Sequence, residues 1–177
     1  MKKLIVLIAA LLAVLFIVGC ASTGPTASEM MSGAKSSAPI GALIGQATAK
    51  EGSKDASLKK SQDRALSQLV RGMAYIVNEL VDDSVTAGRL SGNVSDEFRR
   101  LVISALSTSS LNGARKQDQG FGAGDTAWSV FYIEKADALK EINNAVNAAK
   151  REVAAGNFNT DGFDAKFRAA ADREWKN

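Results

Sequence analysis

The order of apolar and polar positions divides the chain into stretches of different period. Behind Lys2 and Lys3, residues 4–18 are apolar without interruption. Residues 21–54 show no sustained period and are rich in Ser, Ala, Gly and Thr, with both prolines of the chain, Pro25 and Pro39. A stretch of that kind buries too little apolar surface to offset its chain entropy, and it reads as a flexible tether. From residue 55 onward, apolar residues return at the three- and four-residue steps of amphipathic helices.

Leu58, Ala65, Leu66, Leu69, Met73, Ile76, Val77 and Leu80 fall on one face at 3.6 residues per turn. They predict a first helix from about Ser57 to Asp82 and Asp83; a break near Gly72 and a short strand over residues 81–86 are the alternatives. After a loop at 87–93, Ser95 stands as an N-cap with Asp96 and Glu97 in the first turn, where acids favour the helix dipole. Phe98, Leu101, Val102, Ala105 and Leu106 supply the buried face of this second helix, which ends within 107–110.

The period then shortens to two. Residues 111–119 are extended in character, 120–124 form a glycine turn, and 126–133 are β-branched and aromatic, which together predict a hairpin. Trp128, Val130 and Tyr132 alternate with Ala127, Ser129, Phe131 and Ile133, so both faces of that strand are partly apolar. One face is expected on the helices and the other against something else. A third helix carries Ala138, Leu139, Ile142, Ala145, Val146, Ala149 and Val153 on one stripe and stops at Gly156 and Asn157. Phe163, Phe167, Ala170, Ala171 and Trp175 define a terminal helix.

These elements predict a small single α+β domain, three to four helices packed on a short antiparallel sheet that contains the hairpin. The organisation along the chain is a leader at 1–19, a tether at 20–54 and the domain, with its helical C-terminal extension, at 55–177.

The leader changes the picture most. A charged start, an apolar core and a small residue at its end are the parts of a secretory signal. As a span, fifteen residues would reach only ~22 Å of a ~30 Å hydrocarbon layer. Its last residues, Ile17-Val18-Gly19-Cys20, resemble the bacterial lipoprotein signal, with an aliphatic third before the cut, a small residue before it and cysteine after. That resemblance implies cleavage between Gly19 and Cys20, diacylation of the Cys20 thiol and acylation of the new amino group. Two lipid signals suffice for stable attachment, so three chains would hold the protein on a membrane. Ala21 in place of an aspartate implies, for a Gram-negative source, sorting to the outer membrane.

Composition narrows the chemistry. Loss of Lys2 and Lys3 takes the basic count from 22 to 20 against 19 acidic residues, so the mature charge is +1 and no nucleic-acid footprint is expected. There is no histidine, and Cys20 is the only cysteine. Disulfides, the usual zinc ligand sets and Ser-His-Asp or Cys-His catalysis are therefore excluded for this chain. Neither cofactor nor metal is expected.

From Ala56 to about Val153 the order of elements resembles the bacterial outer-membrane lipoproteins of about twenty kilodaltons, the Lpp-twenty type. The resemblance is carried by the alanine- and leucine-bearing first helix, the second helix at 94–106, Ser109-Ser-Leu-Asn-Gly113 before an extended stretch, and Trp128-Ser-Val-Phe-Tyr-Ile-Glu-Lys135 before a lysine-bearing helix. It implies an envelope location and an α+β fold, with no established catalytic residues.

Several local patterns invite chemical readings. Asn157-Phe-Asn-Thr-Asp161-Gly162 matches the opening of a calcium loop, but the twelfth position, which needs a bidentate glutamate, is Arg168. Gly120-x-Gly-x-Gly124 matches a phosphate cradle in spacing but lies between strands and carries Asp125, so a hairpin turn is expected. Gly41-x-x-x-Gly45 has the spacing of close helix packing in lipid, in a segment too short to span; a compact turn or a piece docking on the domain is expected there. Asp82 with Asp83, and Asp118 with Asp125, are the paired carboxylates available for acid-base work. Trp128, Tyr132 and Trp175 are candidates for a partner surface, with core packing as the alternative.

The function expected from the sequence is a lipid-anchored, non-catalytic outer-membrane module whose partner is the membrane plus an envelope protein or peptidoglycan. The competing readings are a carboxylate-dependent envelope or peptidoglycan-active enzyme and a lipoprotein bound non-covalently to peptidoglycan.

Overall fold

The computed structural model describes residues 24–176 other than 110 and 154, with the side chains of 174–176 left out. Gly19 and Cys20, and with them the expected cleavage and lipidation, lie outside the described residues. Among the described residues five α-helices and three strands follow in the order α1 (Ala27–Ser36), β1 (Leu43–Ala49), α2 (Lys54–Thr86), α3 (Gly92–Thr108), β2 (Arg115–Gly122), β3 (Thr126–Ile133), α4 (Lys135–Ala149) and α5 (Phe163–Lys176). The fold is the small α+β domain that the periodicity predicts, with a hairpin inside a three-stranded antiparallel sheet of order β1-β3-β2.

Helix α2 organises the rest. Its 33 residues run for about 50 Å without a break at Gly72, the alternative left open by the sequence, and without a strand at 81–86. Its C-terminal half, from Met73 to Val81, is the spine of the main core. Around it pack Phe98, Val102 and Leu106 of α3, Ile142 and Val146 of α4, and Phe163 and Phe167 of α5. Phe158, in the loop after α4, closes on Phe98 with ring centroids 4.8 Å apart. Helix α4 ends at Ala149 rather than at Gly156, and α3 starts at Gly92. Ser95, expected as a cap, is buried one turn inside α3 with its Oγ donating to Gly92 O at 2.8 Å.

The N-terminal half of α2 carries the sheet. Strand side chains alternate, so Leu43, Ser129 and Ile133 face α2 while Ile44, Trp128 and Val130 face away. Ser61 of α2 and Ser129 of β3, both fully buried, share a 2.7 Å hydrogen bond at this interface. Beside them, Gln62 donates to Gln119 Oε1 at 2.6 Å. Gln117 has no partner on β3, a one-residue bulge between Lys116 and Asp118.

The structure departs from the expected tether over 27–54. Helix α1 and strand β1 both fall there, which raises the helix count to five and makes residues 43–49 part of the sheet. Two local causes are visible. Thr26 and Glu29 form a capping box, the Thr26 Oγ1 accepting from Glu29 N at 3.2 Å and the Glu29 carboxylate accepting from Thr26 N at 2.7 Å. Strand β1 meets α2 at Gly45, where a Cβ would stand 2.0 Å from Ala65 O. The glycine of the Gly41-x-x-x-Gly45 step therefore serves a close approach of strand to helix, and Gly41, at φ +79°, makes the turn that leads into the strand.

Candidate functional site

Of the aromatic positions expected as a partner surface, Trp128 is buried and Tyr132 half-buried. Trp128 is 3% exposed because α1 lies across that face of the sheet, setting Ala27, Met30, Met31, Ala34 and the following Ala38 against Trp128, Val130 and Ile44. The partner of the second apolar face is thus a segment of the same chain. Gly120 opposite Trp128 leaves room for the indole, whose ring atoms would lie 3.3 Å from a Cβ there. Trp128 Nε1 is buried without a hydrogen-bond partner among the described residues. Tyr132 is half-buried next to Arg115, and its hydrogen bond is the main reason that the Arg115 pKa is raised, with Glu134 and Asp137 adding to it. Trp175 lies in the last turn of α5, its side chain outside the description.

The three glycines of the 120–124 pattern have packing and turn roles. Gly122 lets α1 sit down on β2, since a Cβ there would be 2.1 Å from Ala27 N. Gly124, at φ +72°, and Asp125, at φ +58°, turn the hairpin. Lys54 Nζ holds Asp125 at 2.9 Å.

The candidate carboxylates are kept apart. Asp82 takes Arg99 at 2.6 Å and Asp83 takes Lys166 at 3.0 Å, both at the C-terminal end of α2. Asp125 sits with Lys54 at the other end of that helix, about 40 Å away along its axis. Asp118 is exposed on β2 and accepts from Gln119 N at 2.8 Å. Lys166 lies between Asp83 and Glu79, and those two carboxylates raise its pKa.

In the calcium-like loop a cationic side chain already takes the oxygen ligands. Arg89 NH1 donates to Asn159 Oδ1 at 3.0 Å and reaches Asp161 Oδ2 at 3.4 Å, while Asn159 Nδ2 also donates to Asp161 at 2.6 Å. Among the described residues no group of three His, Cys, Asp or Glu side chains converges as a metal site, and no helix is long and apolar enough to cross a membrane.

Concave surface occurs instead along α2. A hollow of about 460 Å³ between α2 and α5 is lined by Gln68, Arg71, Gly72, Tyr75, Ala170 and Arg173. A second, of about 450 Å³, lies toward the end of α3 and is lined by Arg64, Ser67, Val70, Arg71 and Ser107. Arg71 is the wall common to both. On α2 the contributors Arg64, Ser67, Gln68, Arg71 and Tyr75 recur at three- and four-residue steps, a single stripe that the sequence displays but whose meaning depends on Arg173 arriving from α5. Arg173 stacks on Tyr75 with its guanidinium carbon 4.0 Å from the ring centroid.

Comparison of the chain with protein-family models, with curated proteins and with solved structures finds no match.

Proposed function

We propose that this protein is a lipid-anchored lipoprotein of the bacterial outer membrane, acting as a non-catalytic binding or structural module of the envelope. The observation that carries the reading is the apolar run at 4–18 ending in Ile17-Val18-Gly19-Cys20, with that cysteine the only one in the chain. The absence of histidine from the sequence supports a role other than imidazole-dependent catalysis. The resemblance to the Lpp-twenty type belongs to the same proposal.

On this reading the folded part rides close to the bilayer. Helix α1 begins at Ala27, seven positions after Cys20, a reach of at most ~25 Å. The module is therefore a cap on the membrane surface. Its partner is an envelope protein or peptidoglycan.

Replacement of Cys20 by Ser tests the anchor. The parent protein is expected in the detergent phase on temperature-induced phase separation and the Cys20→Ser variant in the aqueous phase or as an uncleaved precursor. Equal partitioning of the two would overturn the proposal. Retention of the parent on purified sacculi would identify peptidoglycan as the partner, whereas crosslinking in the intact envelope would identify a protein.

A further inference from the structure

Among the described residues, the only buried charge lines a hollow. Glu141 of α4 is 8% exposed, and no other Asp, Glu, Lys or Arg among them is buried. Its carboxylate has no hydrogen-bond or ion-pair partner among the described residues. The acids that do pair are far more open: the side chains of Asp82 with Arg99 and of Asp125 with Lys54 are 64% and 68% exposed. On its own helix the positions three and four residues to either side are Asp137, Ala138, Asn144 and Ala145, none of them a cation. Withdrawing a carboxylate from water costs free energy unless a cation or several donors offset it.

The hollow, about 160 Å³, lies between α3 and α4. Ala105, Leu106 and the capping Ser109 come from the end of α3, and Asn144, Ala145 and Ala148 continue the stripe of Glu141 along α4. That end of α3 is the negative pole of a 17-residue helix, and its last turn carries no basic residue. A negative helix end and an unpaired carboxylate therefore meet at one hollow with largely apolar walls. Ser109 Oγ donates to Leu106 O at 3.1 Å, which keeps its lone pairs as acceptors.

We infer that this hollow binds a primary alkylammonium group, as the end of a lysine side chain carries it, with the ammonium on Glu141 and the alkyl stem against Ala105, Leu106, Ala145 and Ala148. An ammonium has three donors and no acceptor, and Glu141, Ser109 and Asn144 supply three acceptors around the hollow. A guanidinium has five donors in a planar fork, more than this set can satisfy. A hard divalent cation takes about six oxygens and would find one carboxylate here. Cavities of about 150 Å³ hold benzene, so a four-carbon amine fits. The hollow would serve this role with or without the lipid anchor.

The test is an NMR titration of the full chain in neutral detergent, at pH 7 and low, constant ionic strength, with n-butylamine, n-butanol, and lysine and arginine blocked at both ends as N-acetyl methylamides. The amide and methyl signals of Ala105, Ala145 and Ala148 are expected to shift saturably with butylamine and not with butanol. The Kd is expected on the order of 1 mM, the range open to five heavy atoms. Glu141→Gln should weaken binding about tenfold or more. Ala148→Leu should do the same by filling the hollow, and because Ala148 is exposed this variant keeps the test open if Glu141→Gln disturbs the packing of α3 on α4. Glu51→Gln, at an exposed acid before α2, should leave binding within about twofold.

Blocked lysine separates the two sources of the group. Saturable shifts with it assign the hollow to a lysine of a polypeptide, and their absence, with butylamine bound, assigns it to a free amine. Failure of butylamine to saturate at these alanines, equal binding of butanol, tighter binding of blocked arginine than of butylamine, undiminished binding in Glu141→Gln or Ala148→Leu, or an equal loss in Glu51→Gln would each overturn the proposal.

Discussion

Replacing Gly45 by alanine places a methyl group where the backbone of α2 already runs. The added Cβ would stand 2.0 Å from Ala65 O and 2.9 Å from Leu69 Cγ, against an ordinary contact of 3.4 Å or more, so β1 must retreat by about 1.4 Å. Leu43 and Ile44, 1% and 2% exposed, move with the strand. A gap of 0.5–1 Å forfeits roughly a quarter to a half of each dispersion contact across it. Overpacking of this kind costs about 1–3 kcal/mol, and because the obstacle is helix backbone rather than a flexible side chain the upper end, about 3 kcal/mol, is expected. For a chain of this length that lowers Tm by roughly 6–12 °C.

Thermal and urea unfolding, followed by far-ultraviolet circular dichroism, measure it. Gly52→Ala is the control: a Cβ there meets nothing within 4 Å, and its stability should stay within about 0.5 kcal/mol of the parent. A Tm for Gly45→Ala within about 2 °C of the parent would refute the close approach of β1 to α2.

Three further outcomes follow from the same geometry. Ser61→Ala should cost about 1–3 kcal/mol by orphaning the buried Ser129 hydroxyl, Ser129→Ala should cost less because Ser61 Oγ still donates to Leu58 O at 2.8 Å, and the double variant should cost less than their sum, as urea midpoints will show. Thr26→Ala, which removes the capping box of α1, should destabilise that helix by about 1 kcal/mol and shift Trp128 emission to the red in a Trp175→Phe background; an unchanged spectrum in mild denaturant would contradict the cover that α1 gives Trp128. Lys166 has a folded pKa raised above 10.5 by Asp83 and Glu79, so its contribution to stability is complete below the unfolded value and is lost as pH rises past 10.5 through the folded one. Lys166→Met should flatten that alkaline part of the stability profile, and an unchanged slope would remove the pair from the account.

The helical part of the fold was legible because burial there is written in large apolar side chains. Leu69, Met73, Ile76 and Val77 on α2, or Ile142 and Val146 on α4, bear the 3.6-residue period and sit in the core as that period requires. Strand β3 was legible for the same reason at period two. The segment 27–49 was not, because its contacts are made by small residues: Ala27, Ala34 and Ala38 on Trp128, and Gly45 on Ala65. Small residues carry little hydrophobic signal but allow the closest approach. One local sign was present, the Thr26-x-x-Glu29 spacing of a capping box, and it marks the start of α1. The same helix explains why Trp128 is a core residue, since the strand alone does not say what covers its second face. At the hollows along α2, the stripe from Arg64 to Tyr75 is readable, whereas Arg173 is about a hundred residues away in sequence and only packing of α5 on α2 brings it there.

Intact-mass analysis of the protein extracted from the cell envelope tests the anchored reading most directly. A chain that begins at Cys20 and carries the added mass of three acyl groups is the predicted result. A chain that retains Met1, or one that starts at Cys20 with an unmodified thiol, would contradict it.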